Sequence, residues 1–490
     1  MKPQAVPLAL PASPAGTSTA PQPSLLALLV MLSGTFMAVL DFFIVNVALP
    51  SIQQDFHASA GMLQLVVVGY GLANAAMLIT GGRLGDLHGR RRLFVIGVGL
   101  FTLASAVCGT APSLGVLIGA RIAQGLASAL LQPQVLAMLG MLYTGAHRAK
   151  AFSAYGLALG LAAASGQVIG GLLIHADVAG LGWRTCFLIN LPIGAVMLAL
   201  SGRVLPPVRP PQRPPVTGQH TSRLDLPGAA LVALALTAAV LPLVQGREAQ
   251  WPLWSLACLA ASVPLFALFW RHQHGLAARG GQPLVSPALL AHRPYVLGLL
   301  ITLVFFAGNA SFYFVLALYL QQGLGLPPLE AGLVFTALAA GFFATSMASP
   351  WFARRLGRHA IFTGALVLAA GHALLVALVA GPQAQNVALM LPVLLLQGCG
   401  LGLVMAPLAS VVLAGLPPQH AGVASGVMAT VQQVGNALGV ALIGILFYGH
   451  SGMAAAAQAF GASLLYLFAL ALGVAALYWR LNHPTTKESI

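Results

Sequence analysis

Charge is what this chain has least of. Only 6% of its 490 residues are Asp, Glu, Lys or Arg, against roughly 25% in an average soluble protein. That scarcity excludes an ordinary water-soluble domain, and the 59% apolar content places the chain among polytopic membrane proteins. Its lysines (Lys2, Lys150, Lys487) follow no glycine-rich loop, so there is no GxxxxGKS or GxxxxGKT phosphate cradle and no P-loop of its own. Four cysteines (Cys108, Cys186, Cys258, Cys399) lie in or against apolar runs without CxxC spacing, which reads as packing. The 13 histidines show no HExxH spacing, and no metal is expected. The net charge of +14 suggests nucleic acid at first sight. Its distribution argues against that partner, because the basic residues sit singly or in threes at run ends, with no aromatic-interleaved patch.

What the chain does have is about fourteen apolar runs of bilayer-spanning length. Residues 1–24, rich in Pro, Ala, Ser and Thr, read as a disordered cytoplasmic tail without a cleavable signal peptide. Six runs follow in 25–205, then a Pro-rich cytoplasmic linker at 206–224 and two further runs in 225–271. A connection at 272–294 contains PLVSPALLAHRP, which reads as a short surface helix; six more runs fill 295–481, and 482–490 is a cytoplasmic tail. With both termini in the cytoplasm, 19 of the 22 Lys and Arg fall inside, Arg184 and Arg247 outside, and Arg121 within a run. A wrong run count would scramble that alternation. The expected fold is therefore all-α and polytopic, two six-helix bundles plus two additional transmembrane helices, in the cytoplasmic (inner) membrane. GGRLGDLHGRRRLF after the second run and SPWFARRLGRHAIF after the second run of the later six form a weak repeat that sets Gly89 on Gly357. Such duplication, with substrate between the halves, is a common plan of secondary transporters.

Seven of the eight acidic residues fall in or beside loops, and Asp41 alone lies deep in a run, LLALLVMLSGTFMAVLDFFIVNVALP. An ionised carboxylate at that depth costs roughly 2.5–3.5 kcal/mol on insertion scales and is functional by default. Its proton affinity depends on burial and on any nearby cation, and alternating exposure changes both. Arg121, the other charge inside a run, cannot release its proton but supplies the opposing charge. Polar residues within runs, Asn46, Gln124, Asn309, Tyr313, Tyr319 and Gln432, are candidates for a substrate pocket. Gln132, Gln397, Gln433 and Asn436 join them, although residues of this kind more often make helix–helix hydrogen bonds than ligand contacts. His372, the clearest histidine within a run, reads as structural.

Four segments stand in order along the first six runs. They are Leu40-Asp41-Phe42-Phe43-Ile44-Val45-Asn46-Val47-Ala48-Leu49-Pro50, Gly82-Arg83-Leu84-Gly85-Asp86-Leu87-His88-Gly89-Arg90-Arg91-Arg92, Arg121-Ile122-Ala123-Gln124-Gly125 with Pro133 following, and Gly166-Gln167-Val168-Ile169-Gly170-Gly171. On these segments the chain, from about Leu40 to Trp479, resembles the major facilitator superfamily and, within it, the fourteen-span drug:proton antiporters. Gln167 stands where the antiporter pattern has Pro. The small-residue surface of Gly166, Gly170 and Gly171 still predicts close helix packing, without a kink attributable to Pro.

The resemblance implies export of amphipathic or cationic small molecules by alternating access, with the proton gradient as energy source and no cofactor. Its partners are the small-molecule substrate, protons and membrane lipids, and it leaves open a periplasmic adaptor and outer-membrane channel. It also implies a gating loop, in which Gly82, Gly85 and Gly89 make a tight turn while Asp86, at a neighbouring helix N-terminus, and Arg90 hold the cytoplasmic side closed. A dedicated metabolite exporter and an uptake carrier are the alternatives within transport. A membrane enzyme or sensor would need a catalytic constellation or a sizeable soluble domain, and the sequence offers neither.

Overall fold

A computed structural model describes residues 24–143, 145–206, 224–382, 385–414, 416, 421–448 and 453–482. Most of the 1–24 tail, nearly all of the Pro-rich linker and the tail after 482 therefore lie outside the described residues. The first half holds α1 (Leu25–Phe56), α2 (Ala60–His88), α3 (Arg90–Gly109), α4 (Leu114–Leu142), α5 (Gly145–Ala176) and α6 (Asn190–Val204). A hairpin of α7 (Leu226–Gln245) and α8 (Leu253–Ala278) follows. The second half holds α9 (Arg293–Leu318), α10 (Pro328–Met347), α11 (Ala360–Ala380), α12 (Val387–Val412), α13 (Ala421–Phe447) and α14 (Met453–Asn482). Thirteen membrane-length stretches are continuous, and α5, bent by 41° between Ala163 and Ser165, brings the number to 14 among the described residues.

Helix starts follow local chemistry. The Ser24, Ser59 and Ser113 hydroxyls accept hydrogen bonds from the free first-turn amides of α1, α2 and α4. Asp225 does the same for Gly228 N at 2.9 Å, at the start of α7. The bend in α5 arises without proline. Ser165 Oγ donates to the Leu161 carbonyl at 2.6 Å, a back-bond of the kind that bends helices. The connection after α8 contains the expected short helix, Pro287–Leu290, although α8 itself runs seven residues past the expected boundary at 271, to Ala278.

The halves repeat one another in their packing. The first half pairs α1 with α5, α2 with α4, α3 with α4 and α3 with α6; the second pairs α9 with α13, α10 with α12, α11 with α12 and α11 with α14. Glycines set the closest crossings. A Cβ at Gly125 would collide with the Tyr70 carbonyl of α2, and one at Gly398 with the Leu338 carbonyl of α10. The turns that carry the sequence repeat also match, since Gly89 and Gly357 both adopt positive φ, 93° and 51°. Between the halves, α2 packs on α13 and α5 on α10. α7 lies against both α2 and α13, while α8 packs on α7 and turns Leu253, Val263 and Leu268 outward as a lipid-facing surface.

The halves are joined at the end where α1 finishes. There Gln321 Nε2 donates to the Val47 carbonyl (3.1 Å), and Gln322 Nε2 donates to Gln53 Oε1 (2.8 Å). The rings of Phe43 and Tyr313 meet below them at 4.8 Å. From that layer a cleft of about 700 Å³ extends toward the Gly89 end, lined by both halves.

Candidate functional site

Behind the cleft, in the first half, lies a buried ion pair. Asp41 on α1 and Arg121 on α4 are both fully buried, and an Arg121 guanidinium nitrogen donates to Asp41 Oδ2. The other carboxylate oxygen accepts from Gln124 Nε2 (3.0 Å) and Asn190 Nδ2 (2.8 Å). Ser105 Oγ on α3 accepts from both of those amides, at 2.7 and 3.2 Å. Arg121 Nε donates to the Val66 carbonyl (3.0 Å) and Nη1 to Gln124 Oε1 (2.8 Å), whereas Nη2 finds no partner. The guanidinium rests 4.5 Å from the centre of the Tyr70 ring.

Five helices (α1, α2, α3, α4, α6) thus converge on one carboxylate, and each group hydrogen-bonded to it is a donor. Phe42 and Tyr70, which line the cleft, stand between it and the pair. Tyr70 is itself fixed, donating to Ala38 O (3.0 Å) and engaging Ser128 Oγ (2.9 Å).

The sequence-predicted residues divide among several places. Asn309, Tyr313 and Gln432 line the cleft, with Gln132, Gln433 and Asn436 beside them. Gln124 does not; it is fully buried in the ion-pair network, because its side chain is held by both charges. Asn46 is buried outside the cleft lining, with Oδ1 unpartnered. Tyr319 also lies away from the cleft, in a π-helical turn (Tyr319–Gly323), stacked on Phe460 at 4.2 Å. Gly166 and Gly170 pack against α1 at Phe43 and Ile44, Gly171 packs against Pro328, and Gln167 Nε2 donates to the Phe43 carbonyl at 2.9 Å. Gln167 therefore ties α5 to α1 two residues from Asp41.

The gating segment differs from expectation in detail. α2 continues to His88, so Gly82 and Gly85 are helical and face Pro133 and Gln134 of α4, and only Gly89 makes the turn. Asp86 pairs with Arg90, the first residue of α3, across that turn. Arg91 donates to the Gly202 carbonyl at 2.6 Å, and Arg83 donates to the Gln282 and Pro283 carbonyls at 3.0 and 2.6 Å. Ser105, Tyr70 and Asn190 escaped the sequence reading as site residues. The signal for Asn190 was an amide at the head of an apolar run; Ser105 gave none, being one small residue among many in α3. Among the described residues, no three His, Cys, Asp or Glu side chains gather as a metal site.

The family model for the Major Facilitator Superfamily matches residues 31–440. The chain belongs to that superfamily. Members are transport proteins, and this one is similar to the "Probable actinorhodin transporter" of Streptomyces coelicolor, 39% identical over 451 residues, covering 91% of this chain and 76% of the relative. It is 34% identical to the "Puromycin resistance protein pur8" of Streptomyces alboniger, over 92% of this chain and 88% of that one. It is 33% identical to the "Multidrug resistance protein Stp" of Mycobacterium tuberculosis, over 86% and 75%. Among solved structures, the xylose transporter XylE from E. coli in a partially occluded inward-open conformation superposes with a TM-score of 0.63. That likeness covers 95% of this chain and 99% of XylE at 13% identity, and it speaks for the superfamily fold alone.

Proposed function

We propose that this superfamily member is a proton-driven exporter of the cytoplasmic membrane, with both termini cytoplasmic, that expels small organic compounds by alternating access. The carrying observation is the fully buried Asp41–Arg121 pair, one aromatic layer behind a cleft shared by the two halves. With the Gly89 end facing the cytoplasm, this conformation is open inward. Protonating Asp41 frees Arg121 to lean on Val66, Gln124 and Tyr70, and the loosened network lets α1 move against α4. The relatives named for puromycin resistance and for multidrug resistance support outward transport. No cofactor is required, because the proton gradient supplies the energy. One charge crossing about 100 mV releases about 2.3 kcal/mol, and at about 1.4 kcal/mol per tenfold ratio that sustains roughly a 40-fold gradient.

The cleft refines the substrate. No charged side chain lines it among the described residues, and its polar groups are amides and the phenols of Tyr70 and Tyr313. This favours neutral amphipathic compounds over cations. A narrower range, one compound or a few, is the second reading, supported by the Streptomyces relative named for a single product. Everted vesicles decide the coupling: an imposed proton gradient should drive uptake of an exported compound, and a protonophore should abolish it. Undiminished uptake with the gradient collapsed overturns the proposal.

A further inference from the structure

A second cavity, of about 450 Å³, lies wholly within the second half, between α9, α10, α11, α12 and α14, and joins the main cleft at Asn309, Tyr313 and Leu401. It sits where the first half keeps its ion pair. On the alignment that sets Gly89 on Gly357, Asn309 falls at the register of Asp41. Counted from the starts of α4 and α12, Gln397 falls at the register of Gln124 and Leu394 at that of Arg121. His372 falls one residue short of the register of Ser105. The second half thus has Asn309 and Leu394 in place of the two charges, has Gln397 in place of Gln124, and holds a space between the two amides and α14.

Two side chains in that space are unsatisfied. His372, 6% exposed, has no partner in hydrogen-bond geometry at either ring nitrogen, and the Leu368 backbone one turn earlier is its polar neighbour. Gln397, 1% exposed, leaves Nε2 without a partner. Burying such groups unpaired is costly, and native proteins rarely do so without a ligand or water to meet them. The remaining wall is aliphatic and aromatic, with Phe312 edge-on to His372 at 5.4 Å.

We propose that this cavity is a substrate subsite for a neutral aromatic ring bearing a hydroxyl group. The ring fills the apolar space, its hydroxyl accepts from Gln397 Nε2 and donates to a nitrogen of neutral His372. A cation is excluded by the absence of any acidic lining residue among those described. The proposal rests on the transport reading above and names its substrate class, and its test is independent of proton coupling because it is read at equilibrium without a gradient.

The purified full chain in nanodiscs is titrated with 1-naphthol and with naphthalene, following ligand fluorescence. The wild type should bind 1-naphthol about tenfold more tightly, a difference of about 1.4 kcal/mol, the scale of one net hydrogen bond. His372→Phe and Gln397→Leu should each reduce that preference to about twofold or less while naphthalene binding persists, an outcome that loss of packing alone would not produce. Ala471→Phe, which fills the cavity, should weaken both ligands. Thermal unfolding of each variant checks the fold, with His372→Leu and Gln397→Met as replacements for any that fail. Equal wild-type affinity for the two ligands overturns the proposal, as does an unchanged preference in both polar variants or wild-type binding by folded Ala471→Phe.

Discussion

The two halves share one packing plan and differ at its centre. In the first, five helices converge on a buried Asp41–Arg121 pair with Gln124, Asn190 and Ser105 closing around it. In the second, the same crossing holds Asn309 and Gln397 at the wall of a cavity, with Leu394 fully buried at the register of Arg121. A duplicated unit has kept its helix–helix contacts, set by close backbone approach as at Gly125 and Gly398, while its interior chemistry has diverged. Packing constrains both copies equally. Charge is needed in only one, and a second buried pair would add desolvation cost without another task.

The largest effect should come from making the first half like the second. Asp41→Asn strands the Arg121 cation and should cost about 3–5 kcal/mol in stability, read as a lowered thermal midpoint, and it should abolish gradient-driven export. Asp41→Asn combined with Arg121→Leu copies Asn309 and Leu394 into the first half; it should recover most of the stability and none of the coupling. Recovered coupling would show that the pair is only structural. The converse change, Asn309→Asp, places a carboxylate where no arginine waits. It should lower stability by roughly 2.5–3.5 kcal/mol or less, since Asn309 is partly exposed to the cleft, and should fail to rescue Asp41→Asn in vesicle flux.

Removing one carboxylate donor sharpens the contrast. Asn190→Ala should cost about 1.5–3 kcal/mol and shift the pH dependence of export, whereas a merely structural role would leave the pH profile in place. Gln167→Leu, which removes the side-chain bond to the Phe43 carbonyl, should cost about 1 kcal/mol, seen in the thermal midpoint. The smallest effect on stability belongs to Arg90→Ala at the exposed pair with Asp86, at most about 1 kcal/mol. Turnover should nevertheless fall more than substrate affinity, and unchanged flux with weakened binding would argue against gating.

Much of this architecture was legible in the sequence, because bilayer length and the distribution of arginines constrain a membrane chain strongly. Asp41 and Arg121 stood out for the same reason: a charge inside an apolar run is too costly to keep there without a task. Their companions did not. Ser105 and Tyr70 look like ordinary packing residues until three-dimensional convergence places them beside the charges. Gln124 was legible as polar and misplaced as pocket-lining, since a sequence does not say which way a helix faces. The bend in α5 carried no proline signal; it coincides with the serine back-bond at Ser165.

The α7–α8 hairpin has a consequence for traffic. It is clamped at one end by Glu248, which accepts from Ser59 Oγ and Gly61 N at 2.8 and 3.1 Å, and the stretch that follows it is clamped at the other by Arg83. Lying over α2 and α13, it curtains one of the two seams through which a lipid-dissolved molecule would slip sideways into the cleft. The opposite seam, α5 against α10, carries no such curtain among the described residues. Among the described residues, the hairpin thus leaves the bent helix α5 and its partner α10 as the seam that faces the bilayer without a covering helix.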